Sequence, residues 1–417
     1  MQISPHLLLI APPNSYRTAA FLEAARLHGA DVLVASEGKF SLVGALAGGL
    51  HVDLSDPAAV DVLLAANRHR PFCGVLATDD TTVELGSRIA AALDLPHNPI
   101  DAARYSHRKD LSRQVLARAG VSVPEFRLVN LAESLAPQLE GLVFPCVVKP
   151  LSLSASRGVI RADTQQQLLS ACARIEHILA GENMHDEFVK SHVLVERFVA
   201  GPEVALEGLL SDGSLDVLAI FDKPDPMEGP FFEETYYITP SRHSAAWQEN
   251  IISCVKDACR ALGLREGPVH AELRLSTEGC VVLEVASRTI GGECARLLGY
   301  GTGHSLESLV IAHATGNPLE LQAEAGAAGV LMIPVPGAGI MRRVEGITAA
   351  RAVPFVQDIL INIREGYELV PLPEGSSYLG FMFACAPTPE QVETALRAAH
   401  GELKIVVAPL MKIQVRS

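Results

Sequence analysis

VHAELRLSTEGCVVLEVASR, residues 269–288, decides how this chain is read. Two runs of β-type residues, Val269 to Leu275 and Cys280 to Val285, flank the turn Ser276-Thr277-Glu278-Gly279. Each run carries one glutamate, Glu272 and Glu284, and the separation is even. A hairpin centred on Glu278 sets the two opposite each other, and the strand period of two turns both to one face. Facing carboxylates repel unless a cation or a shared proton relieves them. Hard oxygen donors so placed suit Mg2+, with Mn2+ as an alternative, since such ions take one or two carboxylates and complete their shell with water and substrate phosphates. A solvated acid pair on an exposed hairpin is the competing reading. The apolar run Val281-Val282-Leu283 ahead of Glu284 favours the ion.

Four residues beyond Glu284 stands Arg288, just ahead of Gly291-Gly292, where a backbone without side chains lets a ligand come close. A cation there is placed to stabilise charge developing on an acyl phosphate or a tetrahedral intermediate. Upstream, Lys149 ends the apolar strand Phe144-Pro145-Cys146-Val147-Val148 and leads into the small-residue loop Leu151 to Gly158. An ammonium beside Ser154, Ser156 and Gly158 is suited to phosphate, although a plain surface turn has the same composition. The pattern GxxxxGK[ST] is absent, so this is not a Walker loop. Farther on, Val193-Leu194-Val195-Glu196-Arg197-Phe198-Val199-Ala200-Gly201-Pro202-Glu203 couples a strand to a Gly-Pro turn and a second acid. Glu203 can accept hydrogen bonds from ribose hydroxyls, and the backbone from Glu196 to Val199 can pair with an adenine edge.

The rest of the chain sets the frame. At 417 residues it exceeds the size at which one core stops growing, which predicts two or three domains. A net charge of -14 disfavours any grip on nucleic acid or an anionic membrane and favours small-molecule substrates. The opening stretch has no basic flank and its apolar run, Leu7 to Ile10, is too short to span a bilayer, so a cytoplasmic location is expected. Eight scattered cysteines without a CxxC pair read as reduced, mostly buried thiols.

The first hundred residues alternate short apolar runs (Leu7 to Ala11, Asp31 to Ala35, Gly74 to Ala77) with helix-period stretches, the pattern of an α/β parallel sheet. A helix is expected from Asn14 to His28, with Asn14 or Ser15 as its N-cap, and Tyr16 and Arg17 facing the carboxyl end of the first strand. A basic helix, Lys109 to Ala119, opens a middle unit that runs to about Gly316. A small-residue linker, Ala323 to Gly329, then precedes a last segment whose helix, Pro389 to Ala399, starts with Thr388 and Gln391 spaced as a capping box.

Taken in order, KDLSRQVLARAGVSVP (109–124), FPCVVKP (144–150), VERFVAGPE (195–203), HAELRL (270–275) and LEVASR (283–288) resemble the ATP-grasp superfamily, in its carboxylase-like branch, over nearly the whole chain. Within it, EVASRTIGG and the loop Lys223 to Glu234 are similar to L-amino-acid ligases, which make dipeptides. The resemblance implies an α/β fold of three-domain ATP-grasp architecture: a Rossmann-like N-terminal domain at 1–105, an ATP-grasp domain at 106–322 with a lid subdomain at about 123–204, and a C-terminal α+β domain at 323–417. It implies ATP and Mg2+ as cofactors and an ADP-forming ligase that joins a small carboxylate to an amine through an acyl phosphate. It also implies roles: Lys109 and Lys149 on the phosphates with the loop of Ser154, Ser156 and Gly158, Glu196, Phe198 and Val199 at adenine, Glu203 at ribose, Glu272 and Glu284 on magnesium, and Arg288 at the reacting carboxyl group. The loop Lys223 to Glu234 would line the substrate cavity. Many members carry asparagine two residues after the second glutamate; Ala286 stands here, which leaves the metal count open, with water or Ser287 as a substitute ligand. Thr289-Ile290-Gly291-Gly292-Glu293 replaces the Gln-Val-Glu-His run of biotin carboxylases and argues against bicarbonate chemistry. A carboxylase or purine-pathway ligase on the same fold, or a module that holds nucleotide without turnover, is the alternative. The sequence leaves open whether the chain forms a homodimer.

Overall fold

A computed structural model describes residues 4–38, 42–46, 49–184, 186–321 and 326–410. Apolar β-formers in the first unit build a four-stranded parallel sheet in the order Gly49–His51, Asp31–Ser36, His6–Ile10, Gly74–Ala77. Leu7, Leu8, Leu9 and Ile10 are all buried because helices cover both faces of the sheet. The loops after His6–Ile10 and Gly74–Ala77 leave from its carboxyl edge, where open α/β sheets hold ligands.

The helix expected from Asn14 to His28 begins later, at Thr18–Leu27, and neither Asn14 nor Ser15 caps it. Ser15 is drawn elsewhere: its hydroxyl donates to Asp79 Oδ2 at 2.8 Å, while Arg17 Nη1 donates to Asp79 Oδ1 at 2.7 Å. A tertiary partner has displaced the local cap, so residues 14–17 remain a loop in which Ser15 and Arg17 are buried while Asn14 and Tyr16 are exposed.

A four-stranded antiparallel sheet follows in the order Phe126–Asn130, His192–Arg197, Cys146–Pro150, Ile160–Ala162, covered by helix Gln165–Ala180. The largest sheet has eight antiparallel strands in the order Gly279–Ala286, Gly267–Ser276, Glu203–Ser211, Ser214–Lys223, Tyr236–Thr239, Ala327–Ile333, Gly380–Ala386, Val356–Ile361. It runs straight across the expected boundary at residue 323. Tyr237 pairs with Val330 and Val330 with Phe383. The supposed linker is therefore partly strand, with residues 323–325 outside the described residues. Its small side chains have a packing reason, since a Cβ on Gly329 would meet Val392 Cγ1 of helix Pro389–Gly401 at 2.6 Å. That helix is capped as expected by Thr388, which accepts from the Gln391 N–H at 3.4 Å.

One core cluster joins Leu7, Leu9 and Phe21 of the first unit to Phe221, Tyr237 and Phe383 of the large sheet, so the parallel sheet is packed onto the body that carries the glutamates. Among the described residues no helix is long and apolar enough to cross a membrane. Cys146, Cys172, Cys259, Cys280 and Cys294 are buried and all eight cysteines are free thiols.

Candidate active site

The hairpin that carries the glutamates is not centred on Glu278. Ser276 pairs with Gly279, which leaves Thr277-Glu278 as a two-residue turn, and the ladder then runs Leu275 to Cys280, Arg274 to Val281 and Leu273 to Val282. Continued without interruption, that register would set Glu272 against Leu283. A β-bulge intervenes at Leu283, and Glu272 pairs with Glu284 after all. One extra residue on one strand is what a bulge contributes, and such bulges re-aim side chains beside functional sites.

Both glutamates open onto a cavity of about 680 Å³ between the large sheet and the smaller antiparallel sheet. Lys109, Lys149, Ser154, Ser156, Glu196, Phe198, Val199, Glu203 and Arg288 line it as well. Gly158 does not. Its φ is +73°, a Cβ would meet Pro150 Cγ at 2.7 Å, and its N–H donates to Pro373 O at 2.9 Å. Glycine is needed there for backbone shape and close packing.

The cations are held by specific acids. Lys149, at the end of Cys146–Pro150, meets Glu196 Oε2 at 2.5 Å across the neighbouring strand, and Arg113 Nε meets Glu196 Oε1 at 2.5 Å. Burial pulls the Lys149 ammonium below its ordinary pKa, and the charge of Glu196 works against that pull. Lys109 begins helix Lys109–Arg118; its Nζ donates to Leu153 O at 2.9 Å and lies 3.6 Å from Glu284 Oε2. Phe198 is flanked by Arg161 at 4.4 Å and Arg274 at 5.5 Å from its ring centre, and its N–H donates to Pro145 O.

Three of the lining carboxylates share one buried ammonium: Lys223 Nζ donates to Glu203 Oε1 at 2.7 Å, Glu234 Oε1 at 2.8 Å and Glu272 Oε1 at 2.9 Å. Glu203, expected at ribose, is thus engaged on both oxygens, since Arg274 Nε donates to its Oε2 at 2.9 Å. Burial works to protonate Glu272, but Lys223 and His270 outweigh it and hold the carboxyl well below its usual range. Burial likewise opposes the charged form of His270, yet the carboxylates of Glu207 at 3.3 Å and Glu272 at 3.5 Å prevail and its pKa is pushed up to about 9. Burial raises Glu234, whose neighbours include both Lys223 and Glu272.

Arg288 meets a residue that the sequence did not single out. Its Nε and Nη2 donate to Asp80 Oδ1 and Oδ2, each at 3.1 Å, in a two-pronged pair from the parallel sheet's carboxyl edge. Burial disfavours the guanidinium charge, and Asp80 with Glu284 more than restores it. Ser287, a substitute ligand on the sequence reading, is buried and bonded to Ser106 Oγ at 2.8 Å. Asp80, Arg113 and His270 were missed as site residues. Each meets its partner through the fold; the motifs KDLSRQVLARAGVSVP and HAELRL contain Arg113 and His270, while Asp80 lies in none of the quoted motifs.

Beyond Arg288, the Gly292 N–H donates to Tyr16 Oη at 3.0 Å. Gly292 has φ +64°, and a Cβ there would stand 2.2 Å from Met332 Sδ. Gly292→Ala is expected to lower stability by about 1–3 kcal/mol through strain and overpacking, read as a lower midpoint in urea with an unchanged slope.

The carboxylate pair fits a divalent ion in its donor chemistry: hard oxygen donors pair across the hairpin and Glu272 is held ionised.

Comparison with known proteins places the chain among ATP-dependent ligases. Residues 142–296 match the ATP-grasp domain, and residues 331–408 match the L-amino acid ligase C-terminal domain 2. The crystal structure of L-amino acid ligase from Bacillus licheniformis superposes with a TM-score of 0.84 at 28% identity, covering 98% of this chain and 100% of that one. D-alanine–D-alanine ligase of Methylorubrum populi is 32% identical over 56% of this chain and 71% of its own. Dapdiamide A synthase of Enterobacter agglomerans is 25% identical over 59% of this chain, and the match spans 57% of that relative's length.

Proposed function

Because this chain belongs to the ATP-grasp family of ATP-dependent ligases, we propose that it joins the carboxyl group of one small amino acid to the amine of another through an acyl phosphate. The observation that carries this reading is the convergence of Glu272, Glu284, Lys109, Lys149 and Arg288 on one cavity. The match of residues 331–408 to an L-amino acid ligase domain supports amino acids as the substrate class.

Glu272 and Glu284 would hold Mg2+, which when bound shields the charge of the ATP phosphates. Lys109 and Lys149 neutralise the same phosphates, with the hydroxyls of Ser154 and Ser156 in the loop that follows Lys149. Val199, at the cavity wall, offers backbone to the adenine edge, and Phe198 offers its ring. Glu203 reaches the ribose with the lone pairs that Lys223 and Arg274 do not use. A substrate carboxylate oxygen attacks the γ-phosphorus, the bond to the β-phosphate oxygen breaks, and ADP leaves. The amine then attacks the acyl carbon, phosphate departs, and the nitrogen loses one proton. Arg288, held in orientation by Asp80, stabilises the oxyanion of the tetrahedral intermediate. The sheet that carries Lys149 and Glu196 covers the cavity and keeps water from the acyl phosphate.

Pairs of amino acids supplied with ATP and Mg2+ are the test. ADP and phosphate should appear only when both partners are present, with a product of their summed mass less one water. Turnover with bicarbonate and none with any amino-acid pair contradicts the reading.

A further inference from the structure

The roles above leave Arg113 unused, although it is the bulkiest of the wholly buried side chains among the described residues, at 1% exposure. It lies one helical turn beyond Lys109 on Lys109–Arg118 and reaches two other parts of the molecule at once. Its Nε donates to Glu196 Oε1 at 2.5 Å, and the other oxygen of that carboxylate holds Lys149. Its Nη2 donates to the carbonyl of Leu283. Leu283 is the bulged residue, set between the pairs Leu273–Val282 and Glu272–Glu284 and directly before Glu284 in sequence.

A residue in a bulge drops out of the regular ladder, so its carbonyl needs a partner from outside the strand pair. A buried guanidinium needs acceptors on more than one edge, because its desolvation costs several kcal/mol. Each requirement answers the other here. We propose that Arg113 is a positioning residue that locks the Leu283 bulge, and hence the register of Glu284 opposite Glu272, to the strands bearing Lys149 and Glu196. It ties the metal-side carboxylates to the phosphate-side lysine through one planar fork. The inference rests on the reading of Glu272 and Glu284 as the metal pair.

Arg113→Lys separates this role from a structural one. A lysine keeps one charge for Glu196 but has no fork with which to reach Leu283 as well. The full-length chain and this variant are compared by calorimetric titration with Mn2+ in the presence of ADP, by KM and kcat for ATP, and by thermal melting. Arg113 acts one residue away from Glu284, through the Leu283 carbonyl, and loss of contacts that orient metal ligands typically weakens metal affinity 10–100-fold. The variant should therefore bind Mn2+ at least about tenfold more weakly, with a matching fall in kcat/KM for ATP, while remaining folded at the assay temperature. Mn2+ affinity and kcat/KM equal to wild type, with only a lower melting temperature, overturn the proposal. If the lysine variant does not fold, Arg113→Gln, neutral and still a donor, is judged by the same two outcomes. Failure of the wild-type chain to take Mn2+ with ADP overturns the metal reading itself, and this inference with it.

Discussion

Glu284→Ala is expected to reduce amino-acid-dependent ADP formation by at least about a thousandfold while leaving the fold intact. Removing a single well-placed electrostatic contact in an active site already costs about 10²–10³ in rate, and this change removes half of the proposed metal pair. Stability should hold because the side chain is partly open to the cavity, at 26% exposure, and stands opposite another acid. Lys109, 3.6 Å away, keeps its separate bond to Leu153 O. ADP release coupled to a dehydrogenase assay, with circular dichroism as the control, reads both halves of the expectation. A folded variant that turns over within about tenfold of wild type removes Glu284 from the metal.

Arg288→Lys is expected to lower kcat by about 10²–10³ and to change KM for ATP far less, since the guanidinium is assigned to the transition state and not to nucleotide. Lysine keeps the charge but cannot span both oxygens of Asp80, so the cation loses its orientation. Arg288→Met should in addition destabilise the chain by about 3–5 kcal/mol, because it strands the largely buried Asp80 carboxylate without its partner. Adding Asp80→Asn to that variant should recover much of the stability and none of the activity. A methionine variant that keeps its kcat contradicts the role of Arg288. Recovery of activity in the double variant contradicts it equally.

What the sequence made legible follows the range of the interactions. Strand runs such as Cys146 to Lys149 and Val269 to Leu275 declare themselves through local apolar pattern, and Thr388 declares its helix through local capping. Glu272 and Glu284 were placed opposite each other for an incomplete reason. Even spacing demands either an odd-membered turn or a bulge, and a bulge leaves no mark in the residue pattern of GCVVLEVA. Gly158 carries a packing requirement that its loop composition does not show, because the contact with Pro150 exists only once the strand end and the loop are folded together. Asp80 lies 208 residues from Arg288, and Arg113 lies 83 residues from Glu196 and 170 from Leu283. Pairings of that reach exist only once the sheets are assembled. The helix expected from Asn14 starts four residues late for the same cause, because Asp79 claimed Ser15 and Arg17 from a distant strand end.

Anomalous diffraction from crystals grown with Mn2+ and a non-hydrolysable ATP analogue tests the central claim most directly. A manganese peak is predicted between the carboxylates of Glu272 and Glu284, in contact with the analogue's phosphates. A peak among Glu203, Glu234 and Glu272 with Lys223 displaced, or phosphates seated away from the Glu272–Glu284 pair, would contradict it.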